Sequence, residues 1–185
     1  AANVDLIVIV IAPEPEPFGN LIDRYLVAAH LAGIDTVIAL NKSDLVATNK
    51  ESRALLKRYE TIGHTVIETG PADQSTSALN DLLGDQTAVF VGQSGVGKSS
   101  MINRLIPDQE LRVGALSESV LKGKHTTTTT EVFLRPEGGL IIDSPGIREF
   151  GLQHVAPEDV APGFKEFHPF IDHCKYRDCR HLVEQ

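Results

Sequence analysis

The chain has 185 residues, a formal net charge of −8 and a hydrophobic share of 42 %, values that exclude bulk disorder and allow one buried core plus a short remainder. An acidic chain is no generic nucleic-acid binder, so any RNA contact has to come from a local basic patch or from sequence outside this stretch. The longest apolar run, Leu6 to Ala12, is too short to span a bilayer and follows no basic leader, so no membrane partner is expected. Two cysteines near the end make no disulfide framework, and the expected location is cytoplasmic. The chain opens at Ala1 without a Met and stops at Gln185 inside a promising motif, which reads as a fragment.

Apolar runs of strand length alternate with stretches of helical period, the pattern of an α/β fold with a largely parallel sheet. Asp5 to Ile11 is a continuous apolar strand of the kind buried on both faces, ended by Pro13, Pro15 and Pro17. Asn20 is the expected cap of a helix whose apolar face is Leu21, Ile22, Tyr25, Leu26 and Ala29, closed by Gly33. Thr36 to Leu40 is a second strand. Thr48 and Glu51 have capping-box spacing for a helix through Leu55, Leu56, Tyr59 and Ile62 to Gly63. His64 to Thr69 reads as a strand, Ser77 to Leu83 as a short helix, and Thr87 to Val91 as a strand entering a glycine-rich loop and another helix. Pro107 to Thr130 is long and polar, either a disordered surface loop or a functional one. Glu131 to Leu134 and Leu140 to Ile142 are further strands, and composition shifts near Leu152 to a tail rich in Pro, Phe, His and Cys.

The strongest signal is Gly92-Gln93-Ser94-Gly95-Val96-Gly97-Lys98-Ser99, a full G-x-x-x-x-G-K-S between strand and helix, with Ser100 following. Its glycines let backbone N–H groups turn inward around phosphates, and the helix N-terminus adds positive potential. Lys98 is placed to reach the β- and γ-phosphates and the Ser99 hydroxyl to ligate Mg²⁺. Asp143-Ser144-Pro145-Gly146 follows an apolar strand. After a phosphate loop it reads as the metal-side motif, with Asp143 on Mg²⁺ and the Gly146 N–H toward the γ-phosphate. Asn41-Lys42-Ser43-Asp44 decides the base. An ionised Asp44 accepts from guanine N1–H and the 2-amino group, a pair of donors that adenine lacks. The Lys42 stem can lie on the purine face, and Asn41 can tie this loop to the phosphate loop.

In ordinary small GTPases the base motif lies downstream of the phosphate loop, whereas here Asn41 precedes Gly92. Joining the usual last helix to the usual first strand, here Ser77 to Leu83 running through Gly84-Asp85 into Thr87, produces this circularly permuted order. These residues resemble the ribosome small-subunit-dependent GTPase A (RsgA) family. The resemblance spans Ala1-Ala2-Asn3-Val4-Asp5, Ile22-Asp23-Arg24-Tyr25-Leu26, Asn41 to Leu45, Gly92 to Ser100, His125-Thr126-Thr127 and Asp143 to Gly146. It implies an N-terminal OB-fold, absent here, then a circularly permuted P-loop GTPase domain, and a small C-terminal helical zinc-binding domain. The α/β GTPase domain is expected over residues 1–152 and the start of the zinc domain over 153–185. The implied activity is GTP hydrolysis to GDP and phosphate late in small-subunit maturation, stimulated by the subunit. The implied partners are the small ribosomal subunit with its rRNA and guanine nucleotide, and a monomer is expected. Where the family usually has Ser-Ala, this chain has Glu68-Thr69-Gly70-Pro71, left out of the expected site.

The catalytic position after D-x-x-G is Ile147, which cannot orient water. The resemblance suggests His125 for that role, although a solvated loop histidine reads equally well from the residues alone. One threonine of the run following His125 is expected on Mg²⁺, Thr127 first and its neighbours close behind. Cys174, Cys179 and His181 form C-x₄-C-x-H, three candidate ligands of a tetrahedral zinc site, and the family resemblance implies a fourth, a Cys, beyond Gln185. Two ordinary cysteines with a chance histidine is the alternative. Lys175, Arg177 and Arg180 make this segment locally basic, suiting an RNA-facing surface. Beside the enzyme reading stand a GTP-dependent ribosome-binding switch with negligible intrinsic catalysis and a zinc-stabilised RNA-binding module.

Overall fold

Six consecutive apolar residues, Leu6–Ile11, form β1, the middle one of five parallel strands, in a computed structural model. The structure describes residues 3–48, 50–70, 74–106, 112–115, 130–145, 151–153, 155–171 and 173, without the side chains of 46–48, 74–75 and 112–115. β1 pairs in parallel with β2 (Asp35–Leu40) on one side and with β4 (Thr87–Val91) on the other. Beyond β2 lies β3 (Thr65–Glu68) and beyond β4 lies β7 (Leu140–Asp143), both parallel. β6 (Glu131–Leu134) and β5 (Arg112–Ala115) add an antiparallel edge, giving the order β3-β2-β1-β4-β7-β6-β5.

The period-two alternation of strands sorts the apolar side chains onto two faces. On one face Ile9, Ile11, Ile38 and Leu40 pack with Leu21, Ile22, Tyr25 and Leu26 of α1 (Gly19–Leu31) and with Leu56 and Tyr59 of α2 (Lys50–Thr61). On the other, Val8, Val10, Val37, Phe90 and Ile141 pack with Leu79 and Leu83 of α3 (Gln74–Leu83) and Met101, Ile102 and Leu105 of α4 (Lys98–Leu105). Strands on both sides of β1 therefore need apolar residues at nearly every position, as the uninterrupted runs show. After β3 the chain crosses through α3 to the far side of β1. That reversal makes the β1–β4 crevice, at the carboxyl ends of the strands, the place where an α/β sheet offers a ligand site.

Several expectations change. α1 starts at Gly19 with Phe18 as its N-cap, not at Asn20, and no side chain caps it; the Phe18 carbonyl accepts the Leu21 and Ile22 N–H groups as soon as the proline-rich stretch ends. Ser43–Thr48 is a 3-10 helix leading toward α2, and the side chain of Thr48 lies outside the described residues. Within the long polar segment, Arg112–Ala115 is an edge strand, its pairing with β6 shifted between Arg112 and Gly114. β7 reaches one residue further than expected, which makes Asp143 its last residue.

Arg135, 3 % exposed, follows β6 and joins its hairpin to the end of α3. Its guanidinium donates to the Gly84 carbonyl, to Gly138 O at 3.2 Å and to Asn80 Oδ1 at 3.1 Å. The Gly84 carbonyl, just past the last turn of α3, is of the kind that a helix C-terminus leaves without an intrahelical partner. The tail segment holds α5 (Pro157–Val160), 3-10 turns at Ala161–Gly163 and Lys165–Phe167, and α6 (His168–Ile171). It rests on α1, so closely that a Cβ on Gly163 would lie 2.5 Å from Val27 Cγ1, and His168 stacks against His30 at 4.9 Å between ring centroids. Among the described residues no helix is long and apolar enough to cross a membrane.

Candidate nucleotide-binding site

The loop between β4 and α4 is shaped by two glycines that no other residue could replace without strain. Gly92 has φ of +140°, and a Cβ there would sit 2.2 Å from the carbonyl oxygen of Val10 in β1. Gly97 has φ of +94°, and a Cβ there would sit 2.3 Å from Asn41 Nδ2. Val96, 1 % exposed, pins the loop into the core from below, while Ser94 is half-buried and Gly95 exposed at its tip. Gln93 is buried, and Ser100 faces outward on α4.

Lys98, the first residue of α4, is 6 % exposed. Its ammonium donates to Gly92 O at 3.0 Å and Gln93 O at 3.1 Å, which leaves the third of an ammonium's donors for another acceptor. Burial pushes the Lys98 pKa down, and the Asp143 carboxylate pulls the other way. Asp143, 2 % exposed, accepts from Ser99 Oγ on Oδ2 at 2.9 Å, while its buried Oδ1 has no partner. Burial pushes the Asp143 pKa up, opposed by the Ser99 hydrogen bond and then by Lys98. A buried carboxylate oxygen without a donor beside a serine hydroxyl is the hard-oxygen set that a Mg²⁺ ion takes through one or two protein ligands. The residues fit that ion. Ser144 fixes the turn after β7, its Oγ donating to Phe90 O at 2.6 Å.

The β2 end supplies a second loop. Asn41, 4 % exposed, donates from Nδ2 to Val96 O at 3.0 Å and lies 3.4 Å from Gly97 O, so the two loops are joined side chain to backbone. Lys42 sits at φ of +57°, the left-handed conformation that turns the chain into the 3-10 helix. Its ammonium reaches over the phosphate loop to Gly95 O and Glu14 O, each at 2.8 Å. Asp44 is exposed in the first turn of that helix, free to accept from a base. Ser43 N–H donates to Thr69 O at 3.0 Å, and a Cβ on Gly70 would collide with Ser43 Oγ at 2.5 Å.

Thr69, Gly70 and Arg104 were not expected in the site. Thr69 Oγ1 lies 3.2 Å from Asn41 Oδ1, and Arg104 of α4 donates to the same oxygen at 3.1 Å and to Gly70 O. Two signals could have marked Thr69 and Gly70: their position at the carboxyl end of β3, next to the Asn41 strand, and their place where the resembling family usually has Ser-Ala. His125, Thr127, Gly146, Cys174, Cys179 and His181 lie outside the described residues.

Phosphate loop, carboxylate strand end and base-side loop meet at the carboxyl ends of β4, β7 and β2, with the base side first in the chain. The fold and site define a P-loop nucleotide-binding domain in permuted order. A family model described as RsgA GTPase matches residues 1–153. The small ribosomal subunit biogenesis GTPase RsgA of Marinobacter nauticus is 54 % identical over 98 % of this chain and 53 % of that protein. The protein of the same description from Chromohalobacter salexigens is 55 % identical over 100 % of this chain and 55 % of that protein. Of solved structures, YjeQ from Thermotoga maritima matches with a TM-score of 0.77 and 28 % identity, over 99 % of this chain and 62 % of that one. YloQ, described as a circularly permuted GTPase, matches with a TM-score of 0.70 and 30 % identity, over 98 % of this chain and 58 % of that one. The chain belongs to the RsgA GTPase family, and it spans about half the length of the curated relatives it matches.

The two glycine contacts differ in what must give way. Gly92→Ala drives a methyl into a carbonyl of the central strand, so urea denaturation should show a loss of at least about 2 kcal/mol, above the cost of positive φ alone. Gly97→Ala meets a side-chain amide that can rotate, so it should cost less stability while breaking the Asn41 bond. Equal losses for both variants would contradict this account.

Proposed function

We propose that this chain binds guanine nucleotide and hydrolyses GTP to GDP and phosphate, as part of a protein acting in small ribosomal subunit biogenesis and stimulated by that subunit. The observation that carries the reading is the meeting of Lys98, Ser99 and Asp143 at the ends of β4 and β7. Family membership supports it, and so do the printed descriptions of the relatives. Backbone N–H groups of the loop Gly92 to Gly97 and the start of α4 cradle the phosphates. Lys98 stabilises charge on the β- and γ-phosphate oxygens, most where that charge builds in the transition state. Ser99 and Asp143, with Thr127, would hold Mg²⁺, whose charge neutralises the same oxygens when bound.

Asn41, Lys42, Ser43 and Asp44 form the base side, Asp44 accepting from the guanine edge. From the D-x-P-G motif and the family resemblance, we assign the Gly146 N–H to the γ-phosphate and His125 to the attacking water, since phosphoryl transfer asks the protein chiefly to position groups and balance charge. The boundary near Leu152 separates this domain from the zinc segment, where Cys174, Cys179 and His181 are three zinc ligands and the basic residues around them face rRNA. That assignment rests on C-x₄-C-x-H spacing and on the family resemblance. We take the protein to be a cytoplasmic monomer.

Lys98→Ala and Ser99→Ala should both cripple single-turnover GTP hydrolysis, and raising Mg²⁺ should partly restore only Ser99→Ala, because Lys98 meets phosphate directly. Equal rescue of both would remove these roles. Asp44→Asn should weaken GTP binding and improve xanthosine triphosphate binding. Each hydrogen bond to a charged group contributes roughly 1.5–3 kcal/mol, so titration should register at least about a tenfold change. Unchanged GTP affinity takes Asp44 out of the base site. His125→Ala should lower subunit-stimulated turnover by about 100-fold with GTP affinity barely changed, the mark of an interaction made only in the transition state. Full stimulated activity in that variant would assign the water to another group.

A further inference from the structure

Asn41 can join the two loops only if its amide points one way round. The NH₂ group must face the carbonyls of Val96 and Gly97, and the oxygen must face the other side. Thr69 does not enforce this. Its hydroxyl lies 3.2 Å from Asn41 Oδ1 and 3.4 Å from Leu40 O and has one proton to give. If that proton goes to Leu40, the hydroxyl accepts from an amide NH₂ as readily as it donates to an amide oxygen. The site is closed to water that could compensate, with Asn41 4 % and Thr69 2 % exposed.

Arg104 removes the ambiguity. A guanidinium carries only donors, so the atom that faces its Nη2, 3.1 Å away, has to be the amide oxygen. The reversed amide would set donor against donor and leave the Val96 carbonyl buried without its partner, a double loss in a low-dielectric site. The second arm of the fork, Nη1, donates to Gly70 O, in the turn that also receives Ser43 through Thr69 O. Arg104 is the seventh residue of α4, and Lys98, the phosphate lysine, is the first, with the two ends of one rigid helix addressing two halves of the site.

We propose that Arg104 is a positioning residue that sets the orientation of the Asn41 amide and so couples the phosphate-loop helix to the base-side loops. This rests on the guanine-nucleotide reading above. The guanidinium of Arg104 is held by Asn41 and Gly70, so its effect on nucleotide passes through them. It is expected to act on GTP and GDP alike, since neither Asn41 nor Gly70 is assigned to the γ-phosphate.

The test is a double-mutant cycle in the full chain, read as dissociation constants and off-rates of fluorescent GDP and GTP analogues. Thermal melts of each variant identify the folded ones. Arg104→Ala should weaken both nucleotides by about tenfold through a faster off-rate, as expected when a hydrogen bond to a charged group is lost. Arg104→Lys, one compact donor head that cannot serve both acceptors, should fall between wild type and Arg104→Ala. In an Asn41→Ala background, replacing Arg104 should cost less than about threefold, because the group it orients has gone; a merely structural arginine would cost the same in both backgrounds. Additive losses, or a folded Arg104→Ala with wild-type affinity, overturn the proposal. If Arg104→Ala does not fold, the cycle is run with Arg104→Lys, and additivity there overturns it equally. Lys98→Ala separates the two levels: weakened binding in Lys98→Ala with none in Arg104→Ala sinks this inference alone, whereas a wild-type chain that binds neither nucleotide takes down both readings.

Discussion

A lysine ammonium buried among backbone carbonyls organises the carboxyl edge of this sheet. An isolated cation cannot be taken out of water without compensation worth many kcal/mol, so its surroundings are constrained far beyond one side chain. The carbonyls of Gly92 and Gln93 must turn inward to receive Lys98. That turn needs the positive φ of Gly92, and Gly92 needs the Val10 carbonyl in van der Waals contact with no side chain between. Asp143 has to arrive at the end of β7 at the same depth, where its charge offsets that of Lys98 and is offset in turn. Loop, central strand and carboxylate strand are consequences of one another.

The base-side loop is tied to this arrangement by short polar links. Asn41 and Lys42 each reach carbonyls of the phosphate loop, and Arg104 returns the contact from α4. Each link ends on a backbone carbonyl or an amide oxygen, so no carboxylate has to be ionised to hold the two loops together. The net charge of −8 stands against anionic ligands at long range, and the cationic character of the site is local, built from Lys42, Lys98 and oriented backbone dipoles.

Much of the fold is legible in the residues because buried parallel strands need unbroken apolar runs, and β1, β2 and β4 have them. The phosphate loop is equally plain, since its glycines and lysine follow one another along the chain. Arg112–Ala115 could not be read as a strand: four residues with no apolar alternation are held there by pairing at the sheet edge, a tertiary effect. Asn20 was a reasonable cap by residue type, yet a helix can begin on a carbonyl alone, as it does at Phe18. Arg104 was invisible for a different reason. It lies 63 positions from Asn41, and only the neighbouring of β2 with β3 and the reach of Arg104 from α4 to their carboxyl ends bring the two together. Sequence motifs record chemistry that is local in the chain, and the links between motifs are written in the topology.

The permuted order also has a consequence for synthesis. Translation releases residues in chain order, N-terminal first. One face of the sheet, built from Ile9, Ile11, Ile38 and Leu40 against α1 and α2, is supplied mostly by the first sixty or so residues, with Val89 and Val91 added from β4. The opposite face cannot close until Phe90, Met101 and Ile141 have been made. The half that carries Asn41 and Asp44 is therefore complete in the emerging chain while β1 still lacks its β4 partner. Lys98 and Asp143 are made later, so the nucleotide pocket cannot be assembled before β7 has been synthesised.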